Sequence, residues 1–424
     1  MTKQPIYKRI IAKRLLDGNG SQPKDDPAIL IKDNVIWEIG HKDEIECPPN
    51  TETVDLGNLS IMPGIIDAHM HFFGVPSDKL HLYYSENDVN RALRSAGEAK
   101  KMLDAGITAA RCLGSSISPA LRRAIDEGHI PGPRIIAAGE FICSTSGTWD
   151  HFSVPYEVVK ANDMYADGVE GVRDIVRRRV RSGASVIKVG LSKAPAHHRN
   201  HSWGEDPFDQ LAAFSMEEIK SLTEETHRNR LKVSAHCIGD KAVRAALEGG
   251  VDTIEHGYGI TETTRKMLVD QNALVVSTIS QLYFHEQAAG PYHYHDYEVK
   301  LYDKHLDAMR YDFEENLKVG VRYALGTDLV GYPTHPQDMA AKEFELAVEW
   351  GMSTSEAIVA GTRTSAEALG LEDIIGTIEV GKLADIIAVG GNPISDITEL
   401  QKVQFVMQDG DIILQKQLTS SSND

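Results

Sequence analysis

The sequence has few cysteines, no long apolar run and no excess of basic residues. Its four cysteines, Cys47, Cys112, Cys143 and Cys237, form no CxxC pair and are typical of reduced, mostly buried thiols. No run of about 18 apolar residues occurs, and the first residues lack the apolar stretch of a signal peptide. We therefore expect neither a disulfide scaffold nor a membrane span, and we expect a cytoplasmic protein.

The charge balance also limits the partners. Acidic residues outnumber Lys and Arg by 62 to 44, which gives a formal charge of −18. The short basic run at 177–181 lies among apolar residues at helical spacing, so it is interpreted as a solvated helix face. We expect no nucleic-acid partner and no membrane partner. The sequence also has no GxSxG nucleophile motif, no P-loop lysine and no GxGxxG after a strand.

Repeated βα units dominate the middle of the chain. The whole chain has 424 residues, 42% of them hydrophobic and 25% charged, and this length suits one large and one small domain. Short apolar runs alternate with amphipathic stretches, the pattern of a parallel sheet surrounded by helices. Eight runs occur, at 65–71, 107–114, 134–142, 186–191, 232–238, 253–257, 274–279 and 322–328. Eight strands close a TIM (β/α)8 barrel, so we predict an α/β protein with this barrel over residues 61–365.

The two ends of the chain differ from the middle. Residues 1–60 and 366–424 contain short strand patterns joined by turn residues. We predict that both ends together form a small β-sandwich beside the barrel. Within the barrel, Ser215 and Glu218 are spaced as a capping box, which predicts a helix over 215–229.

Polar residues that bind metals occur at five of the eight predicted strands. In a TIM barrel the functional side chains lie at the carboxyl ends of the strands. His69 and His71 share a strand face because side chains alternate with a period of two, which suits chelation. The complete set is His69, His71, Lys188, His236, His256 and Asp328.

Each of these residues also has a plain structural interpretation. The two histidines of the first strand can be hydrogen-bonded polar residues, and His236 or His256 alone can be a core histidine. Asp328 can cap a helix or form a turn, and Lys188 can pair with a buried acid. Their joint occurrence at strand ends in barrel order favours a functional site.

Five motifs carry a specific resemblance. The segments "PGIIDAHMH", "VIKVG", "VSAHCIG", "TIEHG" and "GTD" resemble those of the amidohydrolase superfamily of metal-dependent hydrolases. The segment "IEVGKLADIIAVGGNP" at 378–393 is similar to the ends of many members. The resemblance covers essentially the whole chain and is specific for the fold and the metal site, but not for the substrate.

The resemblance implies a binuclear metal centre. His69 and His71 would bind the more buried ion, His236 and His256 the more exposed one, and Lys188 would bridge both as a CO2-derived carbamate. Asp328 would bind the first ion and carry the proton from a metal-activated hydroxide to the leaving nitrogen. Zinc is the expected metal for both ions, and these ligands also accept Mn, Co or Fe.

Loop residues suggest the substrate. Trp149 and His151 follow the third strand, and aromatic residues follow the fourth and seventh, which suits a partly apolar small molecule. The resemblance points to the branch of prolidase-like dipeptidases, N-acyl amino-acid hydrolases and hydrolases of aryl amides, ureas and carbamates. There Tyr258 would hydrogen-bond the substrate; its alternative is an ordinary strand-end tyrosine.

Two departures keep a second substrate class open. Cys112 follows Arg111 where dipeptidase-like members commonly have Asp, and "STSGTWD" replaces a glycine pair followed by His. We therefore predict amide C–N hydrolysis of a dipeptide or N-acyl amino acid, with a neutral phenylurea, aryl carbamate or aryl amide as the alternative. A non-enzymatic, metal-stabilised binding module is a further alternative. A homo-oligomer is expected.

Overall fold

The computed structural model describes residues 4–150, 154–196 and 203–416. Seven strands precede the barrel region: β1 (Tyr7–Ile11), β2 (Arg14–Leu15), β3 (Lys24–Asp25), β4 (Pro27–Lys32), β5 (Val35–His41), β6 (Glu52–Asp55) and β7 (Ser60–Pro63).

Ten strands follow in the middle of the chain. They are β8 (Ile65–Met70), β9 (Ile107–Cys112), β10 (Arg134–Ala137), β11 (Ile187–Gly190), β12 (Ser192–Lys193), β13 (Leu211–Ala212), β14 (Val233–Ile238), β15 (Thr253–Tyr258), β16 (Leu274–Val276) and β17 (Arg322–Ala324). Apart from the short antiparallel hairpin β12–β13, each of these strands coincides with one of the eight runs predicted from the sequence, and only β15 extends beyond its run, by one residue.

Eight parallel strands form the central sheets. Three are ordered β10-β9-β8 and five are ordered β11-β14-β15-β16-β17. Parallel bridges join the two sheets at both edges, between Met70 and Leu329 and between Ile142 and Val189. This is a TIM-barrel-type arrangement, and it directs the carboxyl ends of all eight strands towards one side.

Helices separate most of these strands. They are α1 (Asp88–Asp104), α2 (Ser118–Asp126), α3 (Tyr156–Ala161), α4 (Gly168–Arg181), α5 (Met216–Arg228), α6 (Asp240–Gly249), α7 (Glu262–Asp270), α8 (Ile279–Ala289), α9 (Asp296–Val319), α10 (Ala341–Glu349), α11 (Thr354–Val359) and α12 (Ser365–Leu369). Helix α5 begins with the predicted capping box, in which Ser215 and Glu218 bond each other's backbone. No helix in the described ranges is both long and apolar enough to cross a bilayer.

Strands from both ends of the chain form an additional β region. The last strands are β18 (Ile386–Val389), β19 (Val403–Gln408) and β20 (Asp411–Gln415). They pair through β7 with strands of the amino-terminal segment in the order β20-β19-β18-β7-β2-β3, beside a four-stranded sheet β5-β4-β1-β6. Residues of both sheets, among them Ile10, Ile29, Ile386 and Phe405, share one buried cluster. The chain ends therefore fold together.

Candidate active site

The six predicted ligand residues lie within the central strands or up to four residues beyond them. His69 and His71 come from the end of β8, His236 from β14 and His256 from β15. The imidazole centroids of His69 and His256 are 5.1 Å apart, and those of His236 and His256 are 4.5 Å apart. All four histidines are buried. The order of the strands thus brings together four histidines that are up to 187 positions apart in sequence.

Asp328 lies between the two histidines of β8. Its Oδ1 is 2.9 Å from His71 Nε2 and 3.4 Å from His69 Nε2. Burial opposes ionisation, but the charges and hydrogen bonds of His69 and His71 hold the pKa of Asp328 well below its usual value. The backbone at Asp328 has φ 55°, so the chain turns sharply as it leaves the strand and directs the carboxylate back towards β8.

A buried carboxylate fixes this turn. Asp67 accepts hydrogen bonds from Thr327 through its backbone N–H at 3.0 Å and its hydroxyl at 2.7 Å. Burial raises the pKa of Asp67 to about 7, and the hydrogen bonds from Thr327 act in the opposite direction. The first and last strands of the barrel are therefore tied together directly beside Asp328.

Lys188 and His236 supply buried nitrogens without hydrogen-bond partners. Lys188 Nζ and His236 Nε2 are both fully covered and make no hydrogen bond within the described residues. Burial lowers the pKa of Lys188 to about 8, against the opposing charges of Glu255 and Asp328. Burial also lowers the pKa values of His236 and His256 well below the usual value, which keeps both imidazoles neutral. An unpaired buried nitrogen is costly unless a ligand completes it.

Hydrogen bonds to Nδ1 orient three of the histidines. His69 Nδ1 lies 2.8 Å from Glu255 Oε2, His71 Nδ1 is 3.0 Å from the carbonyl of Gly114, and His256 Nδ1 is 2.8 Å from Thr278 Oγ1. A carboxylate or carbonyl acceptor at Nδ1 leaves Nε2 of the same ring as the metal-binding atom. His69 and His71 thus direct Nε2 towards Asp328.

Glu255 is a site residue that the sequence did not reveal. Its carboxylate also accepts hydrogen bonds from Arg111 at 2.9 Å, from Ser234 at 2.7 Å and from Thr253 at 2.6 Å. Although burial raises the pKa of Glu255, Arg111 and His69 together hold it well below the usual value. Arg111 is therefore the counterion of a carboxylate that orients His69.

The donor set fits a divalent metal ion. His69, His256 and Asp328 each offer one ligand atom, and these atoms lie within 4.8 Å of one another. Neutral imidazoles and an ionised carboxylate are ligands that zinc and similar ions prefer. The unpaired nitrogens of Lys188 and His236 adjoin the same group, so the residues present fit the metal chemistry that the family implies.

A cavity of about 350 Å3 opens above these residues. Its wall is mainly aromatic: Trp149 stacks on Phe141 with centroids 4.0 Å apart. Among the described residues that line it, none is Lys or Arg. The lining comprises His69, His71, Phe73, Leu80, His81, Tyr83, Tyr84, Phe141, Trp149, Val154, Met164, Trp203, His236, His256, Gln281, His285, Tyr302, Asp328, Val330 and His335.

The three predicted substrate residues have different positions. Trp149 lines the cavity, and His151 lies outside the described residues. Tyr258 is buried, and its hydroxyl is 2.8 Å from His305 Nδ1. Since His305 Nε2 donates to the carbonyl of Gly204 at 3.0 Å, its Nδ1 has to accept, and the Tyr258 hydroxyl has to donate to it. Tyr258 is not among the described residues that line the cavity, and its hydroxyl hydrogen is used by His305.

Comparison with known proteins identifies the family of this chain. The model of the "Amidohydrolase family" matches residues 60–413, which is most of the chain. The chain belongs to the amidohydrolase family, and it is a hydrolase that acts on amide C–N bonds. It is therefore an enzyme and not a binding module.

Individual relatives are similar over almost their whole length. An ochratoxinase from Aspergillus niger is 31% identical, over 94% of this chain and 84% of that protein. A crystal structure of a Xaa-Pro dipeptidase with bound methionine superposes with a TM-score of 0.84 at 28% identity, over 96% of this chain and 99% of the other. The crystal structure of A. niger ochratoxinase has the same TM-score and identity, over 97% and 96%.

Proposed function

We propose that this chain is a binuclear metal-dependent hydrolase that cleaves the amide C–N bond of an aromatic small molecule. The single observation that carries the proposal is the group formed by Asp328 with the histidines of β8 and β15 beneath an aromatic cavity. His69, His71 and Asp328 would hold one ion, and His236 and His256 the other. When bound, such ions supply Lewis acidity that polarises a carbonyl oxygen and lowers the pKa of water.

Asp328 is the proton carrier in this proposal. Its carboxylate is buried, its low pKa favours the ionised form, and it lines the cavity. It takes a proton from the water that attacks the carbonyl carbon, and it gives that proton to the nitrogen as the C–N bond breaks. One carboxyl group thus serves first as base and then as acid.

Lys188 is the proposed bridging residue, as a carbamate. Carbamate formation joins the neutral amine to CO2 with loss of one proton. Burial disfavours the ammonium form of Lys188, which raises the fraction of neutral amine near neutral pH. Within the described residues, Lys188 Nζ has no hydrogen-bond partner, which leaves it open to such a modification.

The cavity favours substrates with an aromatic group. Two classes fit: dipeptides or N-acyl amino acids, which carry a carboxylate, and neutral aryl amides, ureas or carbamates. The first class agrees with the dipeptidase relative. The second is favoured by one observation, because the described lining contains no Lys or Arg to pair with a carboxylate. We propose the neutral class as the better fit to the cavity.

A matched substrate pair tests the choice. N-benzoylphenylalanine and N-benzoylphenethylamine contain the same amide and rings, and only the first has a carboxylate. We expect the neutral compound to be hydrolysed with the higher kcat/KM, alongside phenylureas and aryl carbamates. A higher kcat/KM for N-benzoylphenylalanine and for aminoacyl-prolines would support the first class. If the metal-loaded enzyme hydrolyses none of these compounds, the proposed function is refuted.

The domain division is also proposed. We propose a barrel domain over residues 61–365 and a β-sandwich from residues 1–60 and 366–424. The pairing of β7 with β18 and the shared buried cluster of the two outer sheets support it.

A further inference from the structure

One buried carboxylate of the outer helices holds the turn between β16 and α8. Glu343 lies on α10 and is 1% exposed. Its Oε1 accepts hydrogen bonds from Ser277 Oγ at 2.7 Å and from the backbone N–H of Ile279 at 3.0 Å. Its Oε2 accepts the backbone N–H of Ser280 at 2.7 Å and the hydroxyl of the same residue at 2.6 Å. All four hydrogen bonds therefore come from the turn at residues 277–280.

This carboxylate caps α8 from outside the helix. The first N–H groups of a helix have no partner within it, and they favour a negative charge nearby. Glu343 accepts the N–H groups of the first two residues of α8, Ile279 and Ser280. Burial raises the pKa of Glu343, and the hydrogen bonds from the turn act in the opposite direction. The turn and the beginning of α8 thus share one buried anchor.

The capping role of Glu343 leaves another side chain free. Thr278 is the N-cap residue of α8, a position at which threonine usually accepts a backbone N–H of the first turn. Here its side chain makes no such bond. Its Oγ1 instead lies 2.8 Å from Nδ1 of His256, and both side chains are buried. The hydroxyl that would ordinarily cap the helix is therefore available to a predicted metal ligand.

His256 depends on the position of this hydroxyl. Nδ1 of His69 and of His71 faces a carboxylate and a carbonyl, which can only accept a hydrogen bond. A hydroxyl can also donate, so it orients an imidazole only if other contacts fix its place. Thr278 has φ −154° and ψ 44°, which is neither helix nor strand geometry. The bonds of Glu343 to the residues on both sides of Thr278 supply those contacts.

We propose that Glu343 is a positioning residue of the metal site. It takes over the capping of α8, leaves the Thr278 hydroxyl to orient His256, and thereby sets the affinity of the ion that His256 would hold. The other ion depends less on this turn, because the histidines of β8 have separate partners at Nδ1. The inference deepens the proposed function and rests on its binuclear centre.

Metal titration of the full-length apoprotein, with zinc and a competing chelator, tests this role through the two affinities. Glu343→Gln preserves the size of the side chain, but its amide NH2 cannot accept the hydrogen bonds that one carboxylate oxygen receives. The Thr278 hydroxyl is then drawn towards the uncapped N–H groups of α8. We expect the affinity for the ion at His256 to fall about tenfold, and the affinity for the ion at β8 to stay within about twofold.

Variants of Thr278 show whether Glu343 acts through this residue. Thr278→Val removes the hydroxyl from His256 directly and should give a loss of similar size at the same ion. Thr278→Ser, which keeps the hydroxyl, should retain most of the affinity. Because both changes remove one contact, Glu343→Gln combined with Thr278→Val should lose no more affinity than the weaker-binding single variant.

Asp240 offers a matched control. Its Oδ1 holds the beginning of α7 by accepting the backbone N–H and hydroxyl of Thr261 and the hydroxyl of Thr264. Asp240→Asn should lower thermal stability in the same manner as Glu343→Gln. It should leave the affinities of both ions within about twofold of the wild type, since its turn does not contact a predicted ligand residue in the described structure.

The possible outcomes are distinct. Equal losses at both ions in Glu343→Gln, or an equally large loss in Asp240→Asn, would overturn the proposal, because the effect would then be one of general stability. Fully additive losses in the double variant would overturn it as well. Two ions in the wild type and an unchanged affinity in Glu343→Gln would refute the role of Glu343 alone. A wild type that binds fewer than two ions would refute the binuclear centre itself.

Discussion

Nδ1 of His69 lies 2.8 Å from Oε2 of Glu255, and the other oxygen of that carboxylate accepts a hydrogen bond from Arg111 at 2.9 Å. This contact fixes the tautomer that exposes Nε2 for metal binding, and it increases the basicity of the imidazole. Glu255→Gln should therefore weaken metal affinity by about 10- to 100-fold, with a parallel loss of activity at limiting metal. Metal titration of the apoprotein with a competing chelator measures the change.

A second buried ion pair provides the control for Glu255. Asp312 pairs with Arg265 and accepts the backbone N–H groups of Gly259 and Ile260, and within the described residues it makes no hydrogen bond or ion pair with any of the six predicted ligand residues. Asp312→Asn should lower thermal stability and leave metal affinity within about twofold of the wild type. An equal loss of metal affinity in both variants would mean that Glu255 acts through general stability and not through His69.

Asp328→Asn tests the proton carrier. The amide keeps an oxygen for the metal and for the histidines of β8, but it cannot accept a proton. We expect kcat to fall by about a thousandfold, while metal content stays at or near the wild-type level. The measurements are steady-state hydrolysis and metal analysis of the same preparation. An Asn variant of unchanged kcat would remove Asp328 from the proposed mechanism.

Lys188→Ala tests the bridging carbamate. Loss of a direct ligand should reduce metal occupancy and lower activity by more than about 100-fold, since even groups that only orient ligands are worth 10- to 100-fold. Formate, acetate or propionate should restore part of both, because a short carboxylate can occupy the space left by the side chain. Full metal occupancy in the alanine variant without added acid would contradict a bridging role.

The sequence predicted the strand-end residues because their positions follow from regular alternation. His69 and His71 are two apart at the end of β8, and the remaining predicted ligand residues lie in or just after strands that a barrel brings together. Glu255 could not be found in this way, because adjacent residues of a regular strand point to opposite faces. His256 has φ 70°, and this left-handed turn lets both Glu255 and His256 approach His69.

The cavity wall was predictable only in part. Trp149 and the loops after the strands were expected near the substrate, and Trp149 and Trp203 line the cavity. Tyr83 and Tyr84 come from the 3-10 segment Ser77–Tyr84 after β8, which no periodic pattern marks. Their place in the wall depends on how an irregular loop packs against distant residues, and a single sequence does not specify that packing.

Metal removal should affect stability as well as activity. Without metal, the buried nitrogens of Lys188 and His236 have no hydrogen-bond partner among the described residues, so these polar groups are uncompensated. Ions that bind the folded state alone stabilise it by mass action, by about 2.7 kcal/mol at 100 times Kd. Dialysis against a chelator should lower Tm and abolish hydrolysis, and Zn, Mn or Co should restore both. Asp328→Asn should show the same metal-dependent rise in Tm without recovery of activity, which separates binding from catalysis. An unchanged Tm after complete metal removal would argue against ions at these residues.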